Sequence, residues 1–180
     1  MRVAPDGDLS LAGERLRSTL AGLASFQRFV GVTTADEAAA HVFLNGLPPH
    51  APGQLDYSRE ELAHYRPWAI VWTQRTGNGF TWSNRNADGV TSTSGRLCFD
   101  LEREIPAEFA GDVAAEDTDF ENHIGRIGAE LAASAFSGGM PILDMNLADG
   151  PATNDPKEHP RKGRLQGVSI LVVWGVGGEG

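Results

Sequence analysis

The segment Val168–Trp174 is apolar on both faces, and this constrains the fold more than any other stretch of the chain. Val168, Ile170, Val172 and Trp174 alternate onto one side of a strand, and Leu171 and Val173 continue the other. Trp68–Gln74 has the same character, with Trp68, Ile70 and Trp72 opposed to Ala69, Val71 and Thr73. A strand apolar on both sides belongs in the middle of a sheet whose two faces are both covered. A third strand, Arg96–Glu104, alternates cleanly: Leu97, Phe99 and Leu101 face a core, while Arg96, Cys98, Asp100 and Glu102 face water or a polar interface. The helices that the sequence offers cover one face well and the second only partly. The remainder points to a subunit that buries a sheet face against a neighbour, not to an enzyme.

Composition agrees with one soluble domain. The chain has 180 residues and is 41% hydrophobic, enough for one real core. No apolar run approaches the ~20 residues of a membrane span. Met1-Arg2 leads into Ala, Pro and acidic residues, so no signal peptide is expected. The single cysteine, Cys98, rules out an internal disulfide framework and most zinc sites. The formal net charge of −9 makes the chain a poor candidate for sequence-independent DNA binding, which relies on Lys and Arg at phosphates.

Along the chain, Leu9–Phe29 is expected to be helical, with Leu16, Leu20 and Leu23 forming a stripe and Gly13 and Gly22 weakening it. Thr34-Ala-Asp-Glu37 is a capping box that opens a helix over Ala35–Leu44, stopped by Asn45-Gly46. Residues 46–57 form a loop, and Ser58-Arg-Glu-Glu61 caps a short helix ending before Pro67. Residues 76–94, rich in Gly, Asn, Ser and Thr, are expected to form a long β-hairpin or arm with its tip at Asn84–Gly89. Ile105–Asp117 is a connector. The Phe120–Ala135 helix carries Phe120, Ile124, Ile127 and Leu131 on one face, with a capping box at Thr118-x-x-Glu121. Gly125 and Gly128 flatten one side of it for close approach of another backbone. Pro141–Leu147 is a strand, residues 148–167 a long polar loop, and 175–180 a flexible tail. The sum is a single α+β domain over residues 1–180: one mostly antiparallel sheet of four to five strands, helices packed on one face, and the 76–94 hairpin arm.

Catalytic or metal chemistry finds little support. No His or Cys stands at metal-ligand spacing from another, and Asp144, Asp149 and Asp155 do not follow a calcium loop. His123 reads as a helix-boundary histidine, and no serine sits in a nucleophile elbow. No catalytic residue, metal or cofactor is assigned. Two features suggest partner contacts instead. One is the arm, where Phe80 and Trp82 are candidate anchors and Asn84 and Arg85 lie near the tip. The other is the basic cluster that includes Arg161, Lys162 and Arg164, set in an otherwise acidic chain. Trp174, on the last strand, completes the set of candidate interface residues.

The segments Leu16–Phe29, Arg66-Pro-Trp-Ala-Ile-Val71, Gly95-Arg-Leu-Cys-Phe-Asp-Leu101, Phe120-Glu-Asn-His-Ile-Gly-Arg-Ile127 and Leu171-Val-Val-Trp-Gly175 occur in an order similar to that of the tail-terminator, or minor tail (tail-completion), proteins of long-tailed bacteriophages. The resemblance spans most of the chain, carries no catalytic signature and transfers no individual residue role. It implies a homo-oligomer, a hexameric ring, that caps the tail tube protein and meets the head–tail connector protein. DNA would pass through without specific binding. The location implied is the virion tail, assembled in the host cytoplasm, with no membrane contact. The alternatives are another head–tail joining or tube protein, or a small ligand-binding or enzymatic domain with a pocket between helix and sheet.

Overall fold

The computed structural model describes residues 9–49, 53, 56–75, 78–84, 91–109, 112–134, 142–148 and 165–176. In chain order the elements are α1 (Leu9–Gly22), α2 (Ala24–Val30), α3 (Ala35–Ala39), β1 (Val42–Leu44), α4 (Arg59–Tyr65), β2 (Trp68–Trp72), β3 (Gly79–Asn84) and β4 (Thr91–Glu104). A 3-10 turn (Ala107–Phe109), α5 (Val113–Ala133), β5 (Ile142–Ala148) and β6 (Leu165–Val176) follow. The fold is α+β. Its one six-stranded sheet has the order β1-β2-β4-β6-β5, with β3 also paired to β4. Among the described strands, only β1 runs parallel to its neighbour β2, and the other pairings are antiparallel.

Register explains where the core lies. Leu97, Phe99 and Leu101 of β4 stand opposite Val172, Ile170 and Val168 of β6, and Phe99 and Leu101 opposite Val71 and Ala69 of β2. Side chains alternate along each strand, so these residues share one face. Onto that face α1 brings Ala12, Leu16 and Leu20, α2 brings Phe26 and Phe29, and α5 brings Phe120, Ile127 and Leu131, in one continuous buried cluster. Each large side chain so buried contributes roughly 1.5–3 kcal/mol.

β6 runs past the expected Val168–Trp174 at both ends, into the expected 148–167 loop and 175–180 tail, because β4 pairs with it from Leu165 to Val176, and three helical expectations also differ. The helix expected over Leu9–Phe29 is broken at Leu23, which is extended (φ −73°, ψ 128°). The new helix start is capped from across the fold: Glu130 of α5 accepts hydrogen bonds from Ser25 N and Oγ, both 2.9 Å. The expected helix Ala35–Leu44 stops at Ala39, because Val42-Phe43-Leu44 pairs with β2 as a strand. The capping boxes at Thr34 and Ser58 both form. The third difference is α5, which begins at Val113, capped by Asp112 Oδ1 accepting from Ala115 N at 3.0 Å. Thr118 is therefore inside the helix, not at its start.

What fastens that early start is a buried cation. Arg103 lies on the core face of β4, only 4% exposed. Its guanidinium donates to Gln166 Oε1 (3.0 and 2.8 Å) and to Asp119 Oδ2 (2.7 Å), and sits 5.1 Å from the Phe120 ring centre. Gln166 Nε2 donates to Asp117 at 3.2 Å. Buried charge persists only when paired and hydrogen-bonded in this way, and the network ties the first turns of α5 to the ends of β4 and β6.

Two glycines permit close packing. A Cβ on Gly13 would lie 2.5 Å from Thr73 Cγ2, so this residue lets α1 settle onto β2. Gly95 lies opposite Trp174, and a Cβ there would come within 2.2 Å of the indole. Gly125, by contrast, faces open space, and no backbone approaches it closely. Gly95→Ala is expected to destabilise the protein by about 1–3 kcal/mol through overpacking. Gly125→Ala is expected to stabilise it by about 0.5–1 kcal/mol through helix propensity. Thermal melts of the two variants should shift in opposite directions. Glu130→Gln is expected to cost about 1 kcal/mol near pH 7 as a weakened helix cap. The Ser25 hydrogen bonds hold the Glu130 carboxyl below its ordinary value of 4.5. A lowered carboxylate pKa stabilises above the unfolded value and is lost as pH falls through the folded one. The gap between wild type and variant should therefore close in urea titrations below about pH 4.5.

Candidate functional site

The alternation that builds the core also composes the opposite face. There Trp68, Ile70 and Trp72 of β2 lie opposite Glu102, Asp100 and Cys98 of β4. These in turn lie opposite Gly167, Ser169 and Leu171 of β6, with Val173 opposite Arg96. Trp68 (5% exposed), Ile70 (9%) and Cys98 (4%) are buried but stand outside the continuous core. Trp72, Leu171 and Val173 are half-buried. Among the described helices, α1, α2, α3 and α5 send their buried side chains to the first face. α4 sits at the β1 edge, where Tyr65 meets Phe43 ring edge to ring face at 5.6 Å.

An interruption in the strand line furnishes this face with its charge network. β2 and β3 both run along the same side of β4. Trp72 pairs with Cys98 and Gly79 with Arg96, so the chain leaves the sheet after Trp72 and returns at Gly79, opposite Leu97 alone. Asn45, in the left-handed region at φ 59°, accepts at Oδ1 from Thr73 N (2.8 Å) and Thr73 Oγ1 (3.0 Å). Asn is among the residues that tolerate this backbone region. Asn78 Nδ2 donates to the Trp72 carbonyl. From the excursion Arg75 folds back over the sheet.

Asp100 is the hub. Its Oδ2 accepts from Trp72 Nε1 at 2.7 Å, and its Oδ1 from Arg75 Nη1 at 2.7 Å and from the Ser169 hydroxyl. Arg75 also reaches Cys98 Sγ at 3.4 Å. Burial pushes the Cys98 thiol above its ordinary pKa, opposed by the Arg75 contact. At the far end Arg66 stacks 4.6 Å over Trp68 and pairs with Glu102 at 2.6 Å. Between the ends runs a groove of about 210 Å³ lined by Trp68, Ile70, Trp72, Asp100, Glu102 and Ser169, among others. A hollow of about 300 Å³ lies beside Asn45, Trp72, Gln74 and Arg75.

The carboxylates of this face are engaged by arginines and an indole, its thiol Cys98 is buried, and Ser169 donates to a carboxylate with no imidazole between them. Aromatic and arginine side chains are the types enriched where protein surfaces meet. Among the described residues, no group of three or more His, Cys, Asp and Glu is placed to hold a metal. His123 lies between the Phe29 ring (5.6 Å) and Asp119 (3.8 Å), and burial lowers its pKa. No described helix is long and apolar enough to cross a membrane.

The sequence-predicted contact residues fare differently from this face. Trp174 is corrected: it is fully buried within its own chain, on the core face against Gly95, and has no surface to offer a partner. Phe80, Trp82 and Asn84 lie on β3, at register positions opposite Gly95, Thr93 and Thr91. The antiparallel pairing of 79–84 with 91–96 is thus present, whereas the arm's tip falls outside the described residues. Arg85, Arg161, Lys162 and Arg164 also lie outside them. Sequence alternation had placed Trp68, Ile70 and Trp72 together. The Asp100–Arg75 network escaped it, because nothing in the residues around Arg75 announces a return to the sheet. Protein-family models and curated protein sequences give no match to the chain.

Asp100→Ala removes the common acceptor of Trp72, Arg75 and Ser169. It is expected to cost roughly 2–3 kcal/mol, because a part-buried cation loses its partner. The Trp72 environment should change with it, read as a shift in tryptophan emission of the folded protein together with a lower urea midpoint.

Proposed function

We propose that this protein is a structural subunit of a bacteriophage tail, a tail terminator whose ring caps the tail tube and joins it to the head-side connector. The observation that carries the proposal is the second sheet face, where Trp72, Leu171 and Val173 are half-buried beside the arginines that stack on Trp68 and Trp72, with Trp68, Ile70 and Cys98 already buried beneath them. Half-buried aromatic and arginine side chains of this kind are suited to a neighbouring protein. The sequence resemblance supplies the particular assembly. The net charge of −9 suits a channel that must not grip DNA. In this role the protein acts by geometry, one side of the ring matching the tube and the other failing to template further tube. No catalytic step is assigned to it.

The mass of the purified protein across a concentration series, with negative-stain images of the same samples, tests the proposal. A closed ring of about six subunits is expected for a terminator, since head-to-tail contacts either close or run on as filaments. Long filaments would make it a tube subunit instead. A monomer at all concentrations, stabilised by a small ligand, would favour a binding domain.

A further inference from the structure

We infer that copies of this chain join edge to edge, with β3 of one copy adding as a strand to β5 of the next. The inference rests on the ring reading and names the surface that closes it. An edge strand carries a row of N–H and C=O groups without ladder partners and is a ready template for another strand. Among the described residues, β3 pairs only with β4, and β5 only with β6.

These edges lie on opposite sides of the sheet. β6 and then β5 extend from one side of β4, while β2 and β3 lie along the other. Their lengths match, at 6 residues for β3 and 7 for β5. Neither Gly-Phe-Thr-Trp-Ser-Asn nor Ile-Leu-Asp-Met-Asn-Leu-Ala contains proline or lysine, and of the devices that commonly blunt exposed edges they carry only Asp144 and the irregularity beside it, both near the start of β5. A register irregularity in β5 is confined to its start, between Ile142 and Asp144, and Asp144–Ala148 pairs regularly.

The remaining edge is closed to this use. β1 is only 3 residues long, and its Val42 carbonyl already accepts from Arg17 Nε of α1 at 3.0 Å. Among the described residues, one copy thus offers two different edges with no second strand paired to them, facing away from each other. That is the requirement for a heterologous, head-to-tail contact, the kind that generates rings.

Backbone hydrogen exchange of the whole protein, measured at concentrations where native mass shows assembly and where it shows monomer, tests the inference. The expected result is that amides in both 79–84 and 142–148 exchange at least about tenfold more slowly in the assembly. Adjacent residues of a strand direct their N–H groups to opposite sides, so Thr81→Pro and Trp82→Pro should separate. One should abolish assembly with the monomer's melting temperature kept, and the other should lower that temperature by disrupting the β4 pairing. An assembly whose exchange at both segments equals the monomer's would overturn the edge pairing and leave the ring reading standing. A monomer at every concentration would overturn both.

Discussion

Leu97, Phe99 and Leu101 are buried between two neighbouring strands and three helices, and the alternation that sends them there sends Cys98, Asp100 and Glu102 the other way. β4 is the strand that pairs with β2, β3 and β6, so its pattern is imposed on the whole sheet. A slip of one residue would bring Asp100 and Glu102 into the core and the leucines to the opposite face. The helices accordingly gather on one side. The opposite side is left to hold its tryptophans by arginine stacking and by a single carboxylate.

Two kinds of device hold the helical layer down. Close backbone approach is one: Gly13 lets α1 meet β2. The other is long-range hydrogen bonding to charge. Glu130 caps the start of α2, and Arg103 fastens the first turns of α5 through Gln166 and Asp119. These contacts join residues far apart in sequence, so the layer depends on the sheet being formed correctly beneath it.

That dependence also sets what could be read from the residues alone. Local rules did well: the capping boxes at Thr34 and Ser58, the inward set of β4 and the two-faced character of β2 follow from nearest neighbours and period. Features decided by distant partners were out of reach. Nothing near Leu23 signals a break whose cap comes from Glu130. Nothing near Val42 shows that a short apolar run will pair with β2 instead of ending a helix. Asp112 outcompeted Thr118 as the start of α5 because Arg103, on another element, holds the extra turns. Trp174 looked available for a partner because its strand is apolar on both faces, but the space beside Gly95 takes the indole into the core. The second face was legible as a stripe of tryptophan and isoleucine, though not as an ionic network, since Arg75 reaches it only through the excursion between β2 and β3.

The central claim is that this second face is a surface for another protein. Oxidative footprinting of Trp72, comparing the chain alone with the chain bound to the tail tube protein of the proposed assembly, tests it most directly. The account predicts that Trp72, half-buried in the single chain, becomes protected in that complex while the fully buried Trp174 stays unreactive in both states. Equal reactivity of Trp72 in the two states would contradict it.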